Sequence, residues 1–159
     1  MVIPIQNERG QLLAYAGRSI DGTGPKYKLP TDFAKSRVLF NLHRAIAHRQ
    51  QTMVVVERFF DCLKVHQAGL PGVVALMGCS QSEHQETLLL RNFHNVALML
   101  DADSAGVHGS AVIADRLSKH CVVEIVGLAT GQQPDRLSTP EIHRALSLLG
   151  RAGGWRGTP

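Results

Sequence analysis

The residues Thr52-Met53-Val54-Val55-Val56-Glu57-Arg58-Phe59-Phe60-Asp61 decide the fold. Residues 53–56 are an unbroken apolar run of strand length, suited to a strand buried on both faces. A helical pattern follows over 60–68 and stops at Gly69, with Pro71 just beyond as the expected C-terminal punctuation. The same alternation then continues. A second strand is predicted over 73–76, and Ser80 with Glu83 reads as a capping box for a helix reaching about Asn92. A third strand covers 96–100, and a helix over 105–119 follows, with Val107, Ala111, Ala114 and Leu117 along one stripe. A fourth strand covers 122–128, and Thr139-Pro140 opens a last helix ending near Gly150. Strands alternating with helices at this spacing predict an α/β fold: about four mainly parallel strands, right-handed crossovers and flanking helices.

Upstream, the apolar runs 1–5 and 11–17 flank Asn7-Glu8-Arg9-Gly10, which predicts a β-hairpin extension. Residues 21–30 form a loop broken by Gly22, Gly24, Pro25 and Pro30, and it presents Lys26, Tyr27 and Lys28. Asn41 suits the cap of a short helix over 42–49, with Leu42, Ala45 and Ile46 on one face. The chain therefore divides into a basic N-terminal segment (1–50), an α/β domain (51–150) and a flexible tail (151–159).

The 159 residues are 44% hydrophobic and 19% charged, enough for a real core and too apolar for a disordered chain. No apolar run is long enough to span a bilayer, and the N-terminus has no secretory pattern. Cys62, Cys79 and Cys121 lack any Cys-x-x-Cys spacing and read as buried, reduced thiols of a cytoplasmic protein, with no zinc site. The eight histidines are scattered without ligand spacing. Charge is unevenly distributed: residues 1–50 carry eight basic against three acidic side chains, while 51–159 carry nine against ten. A polyanion-binding segment beside a gathering of carboxylates fits that pattern.

In open α/β sheets ligands sit at the carboxyl ends of the strands. Glu57 directly follows the first predicted strand, Asp101 and Asp103 follow the third, Asp61 lies one helical turn past Glu57, and Asp135 lies in the loop after the fourth. On an extended segment residues i and i+2 point the same way, so Asp101 and Asp103 are expected to converge. Carboxylates held this close call for a cation, and sparse carboxylates with phosphates suit Mg²⁺, with Mn²⁺ tolerated. Each acid also has a purely local reading. Asp103 or Ser104 suits a helix cap, Glu57 and Asp61 suit the positive end of the following helix, and Asp135 suits a turn.

At these residues the chain resembles the Toprim domain, and more narrowly the catalytic core of bacterial DnaG-type primases. The resemblance rests on Glu57 and Asp101-Ala102-Asp103. It also rests on Val55-Val56-Glu57-Arg58-Phe59-Phe60-Asp61, His66-Gln67-Ala68-Gly69 and Leu100-Asp101-Ala102-Asp103-Ser104-Ala105-Gly106. Upstream it rests on Ile3-Pro4-Ile5, Arg9-Gly10, Gly17-Arg18, Pro25-Lys26-Tyr27, Phe33-Ala34-Lys35-Ser36 and Leu42-His43-Arg44-Ala45. It implies metal-dependent synthesis of short RNA primers on single-stranded DNA, in a cytoplasmic, nucleoid-associated protein. Glu57, Asp101 and Asp103 would be catalytic, and Glu57, Asp61, Asp101, Asp103 and Asp135 would hold Mg²⁺ or Mn²⁺. Lys26, Tyr27, Lys35, Arg18 and Arg58 would contact template or nucleotide. The implied partners are single-stranded DNA, ribonucleoside triphosphates and a replicative helicase or separate zinc-binding module. The chain lacks the family's Cys/His zinc module, so it is expected to be a piece of a larger protein or a reduced relative working with a partner. A Toprim nuclease and a catalytically impaired DNA- or nucleotide-binding module are the alternatives. Tyr15 and Tyr27 both precede the domain, so neither is placed as a topoisomerase nucleophile.

Two positions depart from the family pattern. Arg58 stands where Gly usually follows the motif Glu, and Gln133 replaces the first acid of an Asp-Pro-Asp triplet. Both changes lower the negative charge of the rim, and Arg58 adds a permanent cation that either clamps a phosphate or repels a metal. Weak metal binding is the expected result. Calorimetric titration with Mg²⁺ or Mn²⁺ should give tighter binding for Arg58→Gly than for the wild type, and equal affinities would contradict this reading.

Overall fold

The computed structural model describes residues 1–20, 22 and 25–147, and within them two sheets share one set of helices. The tail over 151–159 and the expected end of the last helix near Gly150 lie outside the described residues. The N-terminal sheet contains β1 (Val2–Gln6), β2 (Leu12–Arg18) and β3 (Tyr27–Lys28), all antiparallel in the order β1-β2-β3. The hairpin turns at Gly10, whose φ of +78° is open to glycine at little cost. The short β3 falls in the segment expected to be loop.

The second sheet is wholly parallel. Its strands are β4 (Thr52–Val56), β5 (Val73–Ala75), β6 (Asn95–Leu98) and β7 (Val122–Ile125), in the order β5-β4-β6-β7. Five helices accompany them: α1 (Leu42–Ala47), α2 (Phe59–Gln67), α3 (Glu83–Asn92), α4 (Ser104–Leu117) and α5 (Thr139–Ser147). No helix among the described residues is long and apolar enough to cross a membrane.

The period-2 alternation of the strands divides the core into two layers. Val54, Val56, Ala97 and Met99 face Phe59, Cys62 and Val65 of α2, Ile142 and Leu146 of α5, and Ile3, Ile5 and Ala16 of the hairpin. Met53, Val55, Val96 and Leu98 face Leu42 and Ala45 of α1, Leu88 and Leu89 of α3, and Ile113 and Leu117 of α4. The N-terminal segment contributes to both layers, and Phe40 bridges to Ala75 through two backbone hydrogen bonds at the edge of β5.

Several local expectations are corrected. The α3 cap is Ser82, which accepts from the Gln85 N–H while the Gln85 side chain accepts from the Ser82 N–H. The Ser-x-x-Gln pattern therefore replaces Ser80/Glu83. Asn41 precedes α1 in the left-handed region (φ 70°), and its side chain donates to Val73 O instead of capping. Of the three cysteines, all free, only Cys62 is buried.

The buried stripe of α4 is also different. Val107 is 61% exposed, whereas Gly106, Gly109, Ser110, Ile113 and Leu117 are buried. A search for apolar periodicity passes over glycines, yet here their missing side chains let the helix lie against backbone. A Cβ on Gly106 would stand 2.1 Å from Asp101 O, and one on Gly109 would stand 2.2 Å from Cys79 O.

Because both clashes are with main-chain carbonyls, Gly106→Ala and Gly109→Ala should each destabilise the fold by about 2–3 kcal/mol. Val107→Ala on the exposed side should cost about 0.5 kcal/mol or less. Urea unfolding of the three variants measures the difference.

Candidate active site

In the order β5-β4-β6-β7 the chain leaves β4 for one side of the sheet and returns on the other. The carboxyl ends of β4 and β6 therefore form the crevice where such sheets bind ligands. Their register, Val55 opposite Leu98, is continued by Met99 N donating to Val55 O at 2.8 Å. Glu57 and Asp101 leave the two strands just beyond that point. Both are buried, with 8% and 2% of their surface exposed, so neither charge is well hydrated.

One side chain joins them. The Arg58 guanidinium places Nε 3.4 Å from Glu57 Oε1 and Nη1 2.6 Å from Asp101 Oδ2. Burial raises the Glu57 carboxyl pKa above the ordinary range, and the Asp101 charge adds to this while Arg58 opposes it. Asp101 is raised in the same way, first by burial, against the pull of Arg58 and with Asp103 and Asp135 adding to the rise. The carboxylates in turn hold the Arg58 pKa above its usual value, although burial alone would lower it.

The other predicted acids occupy different positions. Asp103 is exposed and caps α4, its Oδ1 accepting from Gly106 N at 2.8 Å. β6 ends at Leu98, so the segment carrying the two aspartates is not an extended strand, and the two-residue spacing leaves one buried and one exposed. Asp61 is fully buried in the first turn of α2. Its Oδ2 accepts from Arg58 N at 2.8 Å and its Oδ1 from Asp135 N at 3.1 Å. The Asp61 carboxylate thus fixes the backbones of two other site residues. Asp135 leaves Oδ1 buried without a hydrogen-bond partner, as Asp101 does.

The basic candidates lie around this rim. Lys26 is exposed, and its charge is felt at Asp101. Arg18 donates to the Tyr27 hydroxyl at 2.5 Å and stacks its guanidinium 3.9 Å from the centre of the Phe60 ring. The Tyr27 ring packs 5.3 Å from Phe59, so its faces are partly used within the protein. Lys35 Nζ donates to Met77 O at 3.4 Å, and the next residue, Gly78, donates its N–H to Glu57 O at 3.2 Å. Gln85 was not anticipated as part of this region. Its buried amide donates to Val38 O at 2.9 Å, Leu76 O at 3.1 Å and Lys35 O at 3.3 Å, tying the basic segment to the end of β5. Its signal in the sequence was the overlooked Ser82-x-x-Gln85 cap.

Among the described residues no three His, Cys, Asp or Glu side chains gather closely enough to make a complete metal cage. A hard divalent ion of the Mg²⁺ type needs only one or two carboxylates, with water and substrate phosphates completing its shell. Glu57 and Asp101 fit that requirement, being two converging oxygen donors with Asp101 Oδ1 unpaired.

Comparison with known proteins extends this picture. The sequence family described as Toprim-like matches residues 54–138. A DNA primase of Staphylococcus epidermidis is 33% identical over 141 residues, covering 85% of this chain and 24% of that protein. A DNA primase of Staphylococcus aureus strain COL is 31% identical over the same shares. The chain thus spans about a quarter of the length of these curated relatives. Among solved structures, the Aquifex aeolicus primase (zinc-binding and RNA polymerase domains) superposes with a TM-score of 0.82 at 30% identity, over 92% of this chain and 39% of that one. The E. coli primase catalytic core gives 0.80 at 28%, over 92% and 50%. A DnaG primase catalytic domain bound to single-stranded DNA gives 0.82 at 26%, also over 92% and 50%.

Burial, with Asp101 adding and the two N–H donors opposing, pushes the Asp61 pKa from 3.8 up to about 7. The folded state therefore keeps this proton where the unfolded chain has already lost it. Stability from this group is complete below about pH 4 and declines as pH rises towards 7, by roughly 2–4 kcal/mol. Asp61→Asn should flatten that slope, and urea unfolding of both proteins from pH 4 to 8 checks it.

Proposed function

Since this chain belongs to the Toprim-like family, we propose that it forms the part of a DNA primase catalytic core that carries the acidic site, a core which joins ribonucleotides into short RNA primers on single-stranded DNA. The observation that carries this reading is the meeting of Glu57 and Asp101 on one guanidinium at adjacent strand ends. A crevice that collects buried carboxylates and is ringed by Lys26, Lys35 and Arg18 suits a polyphosphate held with a hard cation. The solved DnaG core bound to single-stranded DNA supports the choice of template.

In this reading Glu57 and Asp101 hold Mg²⁺ or Mn²⁺, and Asp103, exposed at the α4 cap, adds negative charge at the same edge. An ion held there would supply neutralisation of triphosphate charge and activation of an attacking 3′-hydroxyl. The chain's own groups do the rest. Asp61 fixes the backbone of Arg58 and of the Asp135 loop, a positioning role that uses both of its oxygens. Lys26 and Lys35 draw nucleotide phosphates and template backbone to the rim, in a salt-dependent way. Arg18 holds Tyr27 and Phe60 as the wall beside them.

A second reading is favoured by Arg58 itself. A guanidinium already seated between the two acids suits a module that binds nucleotide or DNA with little catalysis.

Incubation of the protein with single-stranded DNA, labelled ribonucleotides and Mn²⁺ separates these readings. Oligoribonucleotide products that Asp101→Asn lowers by about 100-fold or more are expected. Binding without products favours the impaired module, and cut template would point to a nuclease.

A further inference from the structure

We propose that Arg58 is a resident counter-cation that couples the two ligands of this site: it holds Glu57 and Asp101 while no divalent cation is present and transfers to the polyphosphate of a nucleoside triphosphate when the cation enters. This deepens the primase reading and rests on it. The anchoring of the residue supports such a movement. Its backbone is fixed by the Arg58 N–H to Asp61 Oδ2, whereas the contacts of its guanidinium are the two carboxylates. The side chain is 27% exposed, so it is reached by solvent while Asp101 beneath it is not.

The same ion pair opposes either ligand alone. A cation that takes Glu57 and Asp101 strands a permanent positive charge beside itself. An anion that takes the guanidinium leaves Asp101, with only 2% of its surface exposed, without the ion-pair partner it touches. When both ligands arrive together, the ion pair is broken once and each half regains a partner. A guanidinium suits the second role because its planar fork of donors matches phosphate oxygens, and Lys26 and Lys35 already favour an anion there. Coupling of this kind is reciprocal: whatever factor the cation gives the nucleotide, the nucleotide gives the cation.

The test compares wild type, Arg58→Gln and Arg58→Lys by electron paramagnetic resonance of free Mn²⁺ and by calorimetry. The probes are Mn²⁺ alone, ATP in EDTA, and Mn²⁺ with ATP, with Asp101→Asn as the site control. Arg58→Gln should bind Mn²⁺ alone about tenfold tighter than wild type, yet bind Mn²⁺–ATP no tighter, so that the coupling factor falls by about tenfold or more. Arg58→Lys keeps the charge without the fork, so its Mn²⁺ affinity should stay near wild type while its Mn²⁺–ATP affinity falls. If Arg58→Gln shifts Mn²⁺ and Mn²⁺–ATP by the same factor, or shifts neither, the coupling is overturned although the metal site stands. If no protein shows saturable Mn²⁺ binding that Asp101→Asn abolishes, the metal-site reading falls as well.

Discussion

Two buried carboxylates at neighbouring strand ends must be given a positive partner, and much of the site's construction answers that requirement. Glu57 and Asp101 reach the crevice because β4 and β6 are adjacent and in register, and the sheet buries them nearly completely. Unpaired, two such charges would raise each other's proton affinity and loosen the fold around them. Arg58 resolves this inside the chain by spanning both. One guanidinium thus serves two carboxylates that come from different strands.

A second layer of interactions fixes this arrangement. Asp61, with no exposed surface, uses its two oxygens to hold the N–H groups of Arg58 and Asp135, linking the start of α2 to the loop after β7. Gly106 lets the first turn of α4 rest on the carbonyl of Asp101, and Asp103 caps that turn. On the far side, Gly78 donates to Glu57 O, while Gln85 gathers three carbonyls around the end of β5. Glu57 thus leaves its strand beside a hydrogen bond from Gly78, and Asp101 leaves its own beneath the close approach of Gly106.

The N-terminal segment contributes both structure and charge. Ile3, Ile5 and Ala16 join one core layer and Leu39, Leu42 and Ala45 the other, so the hairpin and α1 are anchored to the central sheet by buried apolar side chains. That packing carries Arg18, Lys26 and Lys35 to the edge where the acids gather. Of the basic groups in this segment, Lys26 comes near enough for its charge to be felt at Asp101.

Periodicity and punctuation were enough to read the α/β fold, the hairpin and the position of each helix to within a few residues, because burial on two faces leaves an unbroken apolar record in the central strands β4, β5 and β6. The Glu57 and Asp101-Ala102-Asp103 motif was equally plain, since an acid directly after a strand is visible without knowing strand order. Other features required the folded chain. Strand order, and with it the meeting of Glu57 and Asp101, depends on which crossovers pass to which side. The buried face of α4 was misread because Gly106 and Gly109 pack through the side chain they lack. The division of labour among the acids was only partly legible: the cap at Asp103 could be read from its place before a helix, whereas Asp61 held by two backbone donors and Glu57 and Asp101 bridged by Arg58 required the folded chain. A one-dimensional string records the charge of each group but not how much water it loses or which donor reaches it, and those two quantities decide what a carboxylate does.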